Sequence, residues 1–82
     1  MNKQAIQERV REVMADLFLV NTTDIGPDSS IKTIEQWDSL RHVQLMMAIE
    51  EEFGIRIDMM DAAEMVSFPA VCEALKRYLG DG

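Results

Sequence analysis

Ala5, Ile6, Val10, Val13, Met14, Leu17 and Phe18 recur at three- and four-residue steps, with Gln4, Glu8, Arg11, Glu12 and Ala15 between them. This spacing predicts an amphipathic helix from about Lys3 to Phe18. The turn-forming run Asn21-Thr22-Thr23-Asp24 and the Gly26-Pro27 pair end it. From Leu19 to Trp37 no period holds, and a stretch this long without structure is uncommon in a small domain unless it has a function. Ile25, Ile31 and Ile34 are expected to pin it to the core. Ser30 to Ile34 reads as a turn of helix or as a short strand, but no partner strand is evident elsewhere in the chain.

Ser39 to Phe53 predicts a second helix, with Asp38 as its N-cap. At about 100° per residue, Leu45, Met46, Ile49 and Phe53 fall on one face, with His42 at its upper end. Leu40, Val43 and Met47 fall on nearly the opposite side, flanked by Gln44, Glu50 and Glu51. So small a domain cannot bury both sides of one helix. The first face is therefore assigned to the core, and the second reads as an exposed apolar strip with an acidic rim. Such a strip is either a docking surface or a set of isolated exposed apolar residues, which are ordinary on protein surfaces.

Gly54 suits the C-terminal cap of that helix. Ile55-Arg56-Ile57 reads as an extended connector with both isoleucines turned inward. Asp58 then caps a short helix from Met59 to Ala63 or Glu64. Ser67 caps the last helix, Phe68 to Leu79, with Pro69 tolerated in its first turn, where no intrahelical N–H bond is needed. Phe68, Val71, Cys72, Leu75, Tyr78 and Leu79 form its apolar face, and Gly80 to Gly82 read as a frayed end. The expected fold is all-α, a small bundle of three main helices plus one short helix, with a long first loop, forming a single domain over residues 1–82.

Composition adds limits. A domain of 82 residues is near the size at which one core supplies only about 3 to 5 kcal/mol of net stability, and it has no room for an enclosed active site. With 48% hydrophobic and 28% charged residues the chain is a folded protein and not a disordered one. Its single cysteine, Cys72, excludes an internal disulfide and any multi-cysteine metal site. Cys72 and the methionines read as core filling. Neither a signal-peptide pattern nor an apolar run of membrane-spanning length is present, so a cytoplasmic, membrane-free monomer is expected. Residues 1–20 are charge-balanced, and the rest of the chain carries the whole net charge of −7. Such a surface repels nucleic acid and anionic membranes and attracts proteins with basic patches.

The candidate chemistry lies at Ser39. Behind an Asp38 cap, its hydroxyl faces solvent in the first helical turn. A phosphate attached there is favoured by the helix dipole by about 0.3 to 1 kcal/mol. Ser39 and His42 could be paired as nucleophile and base, but no orienting acid, oxyanion site or pocket accompanies them, which argues against a hydrolase. Asp28 to Ser39 has the length of a calcium loop, yet Lys32 and Ile34 stand at ligand positions and Ser39 replaces the bidentate glutamate. His42 reads as a packed residue at the helix top.

Trp37-Asp38-Ser39-Leu40, followed by Val43 to Ile57 with its Glu50-Glu51-Glu52-Phe53-Gly54 helix end, resembles the acyl carrier proteins of fatty-acid and polyketide synthesis over nearly the whole chain. The resemblance implies that Ser39 receives 4'-phosphopantetheine from coenzyme A and that the arm's thiol carries acyl groups as thioesters. It further implies that Asp38 helps bind a magnesium ion during that transfer, with no stable metal site, and that the chain is a non-catalytic carrier. Leu40, Val43, Met47, Glu50 and Glu51 match the strip presented to partners. Those partners would be a phosphopantetheinyl transferase and an acyltransferase, acyl-activating enzyme or synthase with a basic docking patch. Gln36-Trp37 before the aspartate and Arg41-His42 after the leucine depart from the housekeeping fatty-acid carriers and are closer to discrete carriers of polyketide and other specialised pathways. An unmodified acidic helical adaptor that binds through the Leu40, Val43 and Met47 strip is the alternative.

Overall fold

The computed structural model describes residues 2–80, so the expected frayed end at Asp81 and Gly82 lies outside it. Helix α1 spans Lys3–Phe18, α2 Ser39–Phe53, α3 Met59–Glu64 and α4 Phe68–Tyr78, with one 3-10 turn at Thr22–Asp24. No strand is present among the described residues, and no helix there is long and apolar enough to cross a membrane. The predicted all-α bundle is therefore the observed fold.

Side-chain caps set the helix starts. Asn2, Asp38, Asp58 and Ser67 each accept a hydrogen bond from a backbone N–H of the turn that follows, which satisfies donors that have no partner inside the helix. Gly54 ends α2 at φ 65°, in the left-handed region where glycine has no Cβ penalty. Leu19 ends α1 at φ 60° with its side chain exposed, a conformation that costs a leucine about 1 kcal/mol or more. Its N–H bonds the Ala15 carbonyl and offsets part of that cost.

Helix α1 packs against both α2 and α4, and the core lies among these three helices. Ile6, Val10, Met14 and Phe18 from α1 meet Leu45 and Ile49 from α2 and Val71 and Leu75 from α4. Ala15, placed by its spacing among the polar positions of α1, is buried as well. An ion pair between Arg9 and Glu52 joins α1 to α2 at the surface.

The loop from Leu19 to Trp37 is ordered by contacts that no periodicity records. Ile25 is buried, and Ile31 and Ile34 are half-buried against the core, as expected. Ser30 accepts from the N–H groups of Thr33 and Ile34 at 3.0 and 2.9 Å, which is the expected turn. Ser30 also forms an isolated antiparallel bridge with Ser67, through Ile31 N–H to the Val66 carbonyl and Phe68 N–H to the Ser29 carbonyl, both 2.9 Å. Trp37 closes the loop. It is the largest fully buried side chain, and its ring centroid lies 5.3 Å from that of Phe18.

Candidate functional site

Ser39 is the first residue of α2 and is exposed. Asp38 Oδ1 accepts from Arg41 N–H at 2.8 Å, and the Asp38 carbonyl accepts from His42 N–H at 2.8 Å. The Ser39 and Leu40 N–H groups have no acceptor among the described residues, so they remain available beside the Ser39 hydroxyl. The second Asp38 oxygen lies 3.7 Å from the Arg41 guanidinium in a loose, exposed pair. No cluster of acidic, histidine or cysteine side chains among the described residues could hold a metal ion. The arrangement is a nucleophilic hydroxyl in a fixed turn, open to solvent, with donors for an oxyanion and one partly free carboxylate at its side.

Trp37 holds that turn from behind. Its indole Nε1–H donates to His42 Nδ1 at 3.1 Å, so His42 carries its proton on Nε2, which lies 2.8 Å from the Ala62 carbonyl of α3. The residues just before and just after Ser39 are thereby tied to each other and to α3. The sequence places His42 as packing, but its two directed hydrogen bonds depend on a tertiary partner that spacing does not reveal.

From Ser39 an apolar strip runs along α2. Leu40, Val43 and Met47 are 68%, 56% and 63% exposed, on the side opposite the buried Leu45, Met46 and Ile49. On α3, Met59 and Met60 are strongly exposed as well. Glu51 is exposed on the rim of this surface. Glu50, expected beside it as a free rim charge, is half-buried, and its carboxylate accepts from the Ile57 N–H at 2.8 Å. It fixes the connector between α2 and α3.

Helix α3 buries none of its own residues fully and is held by polar pins. Besides His42, Tyr78 of α4 accepts from Asp58 N–H at 2.9 Å and donates its hydroxyl proton to Asp61 at 2.6 Å, while Arg77 lies 3.7 Å from Asp61. Donation to the Asp61 carboxylate holds the Tyr78 phenol above its ordinary pKa. A group whose folded-state pKa is raised stabilises below its unfolded value and loses that contribution as pH rises through the folded one, so this pin is intact at neutral pH and fails only in the alkaline range, as the phenol ionises. Tyr78→Phe removes both hydrogen bonds and is expected to speed amide hydrogen exchange across α3 several-fold while leaving the slowest amides of α1 little changed. Native-state exchange checks this. Uniform acceleration would show that α3 is not a separately held element.

Cys72 lies at 8% exposure on α4, and burial pushes its thiol up to about 11. It is a thiol and not a thiolate at neutral pH, which suits a packed residue and not a nucleophile.

The family model described as the phosphopantetheine attachment site matches residues 8–75. An acyl carrier protein of Solidesulfovibrio magneticus is 34% identical over 77 residues, covering 94% of this chain and 99% of that protein. An acyl carrier protein of Thermosynechococcus vestitus is 40% identical over 57 residues, or 70% of each chain. The matched span takes in α2 and α3 whole and all but the ends of the bundle, including the capped serine and the apolar strip described above. The chain belongs to the acyl carrier protein family, non-catalytic carriers built around a phosphopantetheine attachment site.

Proposed function

We propose that Ser39 is the attachment point, bearing 4'-phosphopantetheine through a phosphodiester, and that the chain delivers acyl thioesters to partner enzymes of fatty-acid, polyketide or related biosynthesis. The observation that carries this reading is an exposed serine hydroxyl in the first turn of α2, beside two backbone N–H groups without acceptors and at the head of an exposed apolar strip. These residues fit the group. The hydroxyl is accessible, nothing walls it in, and the helix start offers donors and a positive dipole end to a phosphate. When attached, the group supplies a flexible arm ending in a thiol. Everything else is positioning. The protein presents the turn rigidly through Trp37 and His42 and leaves the bases and pockets to its partners.

In this reading Leu40, Val43 and Met47 seat against a partner and Glu51 steers it. Glu50 contributes by holding α3 in place as well as by charge. Acidic rims speed encounter with basic patches and make it salt-sensitive. The partners are a phosphopantetheinyl transferase and an acyltransferase, acyl-activating enzyme or synthase. Once a partner has docked, a short flexible tether gives an effective concentration on the order of millimolar, so weak and fast-releasing docking suffices. The chain works as a single cytoplasmic carrier unit and as a monomer.

Asp38 has two roles in this reading, as the cap of α2 and as a magnesium ligand during loading, and substitution separates them. Asp38→Asn keeps a capping oxygen and removes the charge, so it is expected to melt within a few degrees of the parent and to load much more slowly at low magnesium. Asp38→Ala loses the cap too, a further cost of about 1 kcal/mol. Loading rates across a magnesium titration check this. Normal loading of the asparagine variant at every magnesium concentration would leave Asp38 as a cap alone. Whether Ser39 takes up one phosphopantetheine at all tests the reading as a whole.

A further inference from the structure

Helices α1 and α4, with Pro27 of the first loop, line a partly open pocket of about 270 Å³ built on elements other than α2 and α3. Its floor is apolar, made by Ile6, Phe68 and Cys72 with Pro69 beside them. Its border is cationic. Of the eight basic side chains, Arg9, Arg41 and Arg77 pair with carboxylates among the described residues, and the other five do not. Three of those five, Lys3, Arg11 and Lys76, line this one cavity. In a chain of net charge −7 that is a local reversal of sign.

Arg11 is fixed in place. Its guanidinium lies 5.0 Å over the Phe68 ring, and its Nε donates to the Ile25 carbonyl at 3.0 Å. Its terminal nitrogens make no hydrogen bond among the described residues, which leaves the carboxylate-binding edge of the fork unused. Glu73 is the one acidic side chain in the lining, and Glu8 and Glu12 border the adjoining depression that Arg11 also faces.

We propose that this cavity is a binding site for a small amphipathic carboxylate, a short fatty or aryl-alkyl acid, with its apolar body on the Ile6, Phe68 and Cys72 floor and its carboxylate among Lys3, Arg11 and Lys76. The pocket volume lies just below the range for drug-sized ligands, which selects a small molecule. An apolar floor bordered by three cations and one carboxylate, with no ion pair to those cations among the described residues, favours an anion and disfavours an alkylammonium ion of the same length. This site is independent of Ser39 and of the carrier role.

The test is an amide and methyl chemical-shift titration of the full unmodified chain with octanoate, and with octylammonium as the charge-reversed control. Octanoate is expected to shift the Ile6, Phe68 and Cys72 region with a dissociation constant on the order of 1 mM, as befits so small a ligand. Octylammonium is expected to leave that region unmoved. The Lys3→Gln/Lys76→Gln variant, altered only at exposed side chains, is expected to bind octanoate about five- to tenfold more weakly, as for the loss of two partly screened charges. Slower alkylation of Cys72 in saturating octanoate supports the same placement. Equal shifts with both ligands, shifts confined to α2 and α3, or unchanged affinity of the double variant would each overturn the proposal.

Discussion

Ile49→Glu is expected to unfold the bundle, whereas Met47→Glu, two residues away on the same helix, is expected to leave it folded and to melt within a few degrees of the parent. Ile49 is fully buried in the core formed by α1, α2 and α4. A carboxylate forced there has no cation to meet and costs several kcal/mol whether it stays charged or takes up a proton. A domain of this size has only about 3 to 5 kcal/mol to lose. Met47 is 63% exposed, so the same substitution there places a charge in water. Its expected effect is functional. It breaks the apolar strip, and transfer to a partner that seats on Leu40, Val43 and Met47 should fall about tenfold, the loss typical of one good contact residue. Circular dichroism melts and a transfer assay on both variants separate the two faces of α2. Equal destabilisation would mean that the faces are wrongly assigned.

The two faces of α2 could be read from the sequence because helical periodicity is a local property. Leu45, Met46 and Ile49 group against Leu40, Val43 and Met47 by angle alone. Helix limits were legible for the same reason, since Asp38, Gly54, Asp58 and Ser67 each act on the turn next to them. The α4 helix ends one residue earlier than expected, at Tyr78, because Leu79 already serves as its cap. What the sequence did not disclose depends on distant partners. Trp37 stands in an aperiodic stretch, and nothing nearby shows that Phe18 receives its ring or that His42 accepts its N–H. The bridge from Ser30 to Ser67 joins segments far apart in the chain, so the strand reading of Ser30 to Ile34 shows no partner in the sequence and the turn of helix is preferred. Glu50 looked like a free rim charge because its spacing places it beside Glu51, but the connector after Gly54 folds back and gives its carboxylate the Ile57 N–H. The spacing of α4 places Tyr78 on its apolar face, which the ring satisfies, while the hydroxyl pins α3.

The same distinction explains how much of the site was visible. The Asp38 cap and the exposed Ser39 follow from a few adjacent residues. The rigidity of the turn and the placement of α3 depend on the contacts of His42, Glu50 and Tyr78, and only the folded chain brings these together.

The largest functional effect is expected from the smallest change. Ser39→Ala removes one oxygen from an exposed position, leaves the Asp38 cap and the Trp37–His42 bond in place, and should not shift the melting temperature by more than a few degrees, as for other exposed substitutions. Loading should nevertheless be lost completely if Ser39 is the attachment point proposed above. Two other serines are engaged elsewhere: Ser67 caps α4, and Ser29 is buried and hydrogen-bonded within the first loop. The decisive measurement is the intact mass of the parent chain and of Ser39→Ala after incubation with coenzyme A, magnesium and a broad-specificity phosphopantetheinyl transferase. The parent is expected to gain one phosphopantetheine and the variant none. A parent mass unchanged with several active transferases, or equal gain by the variant, would contradict it.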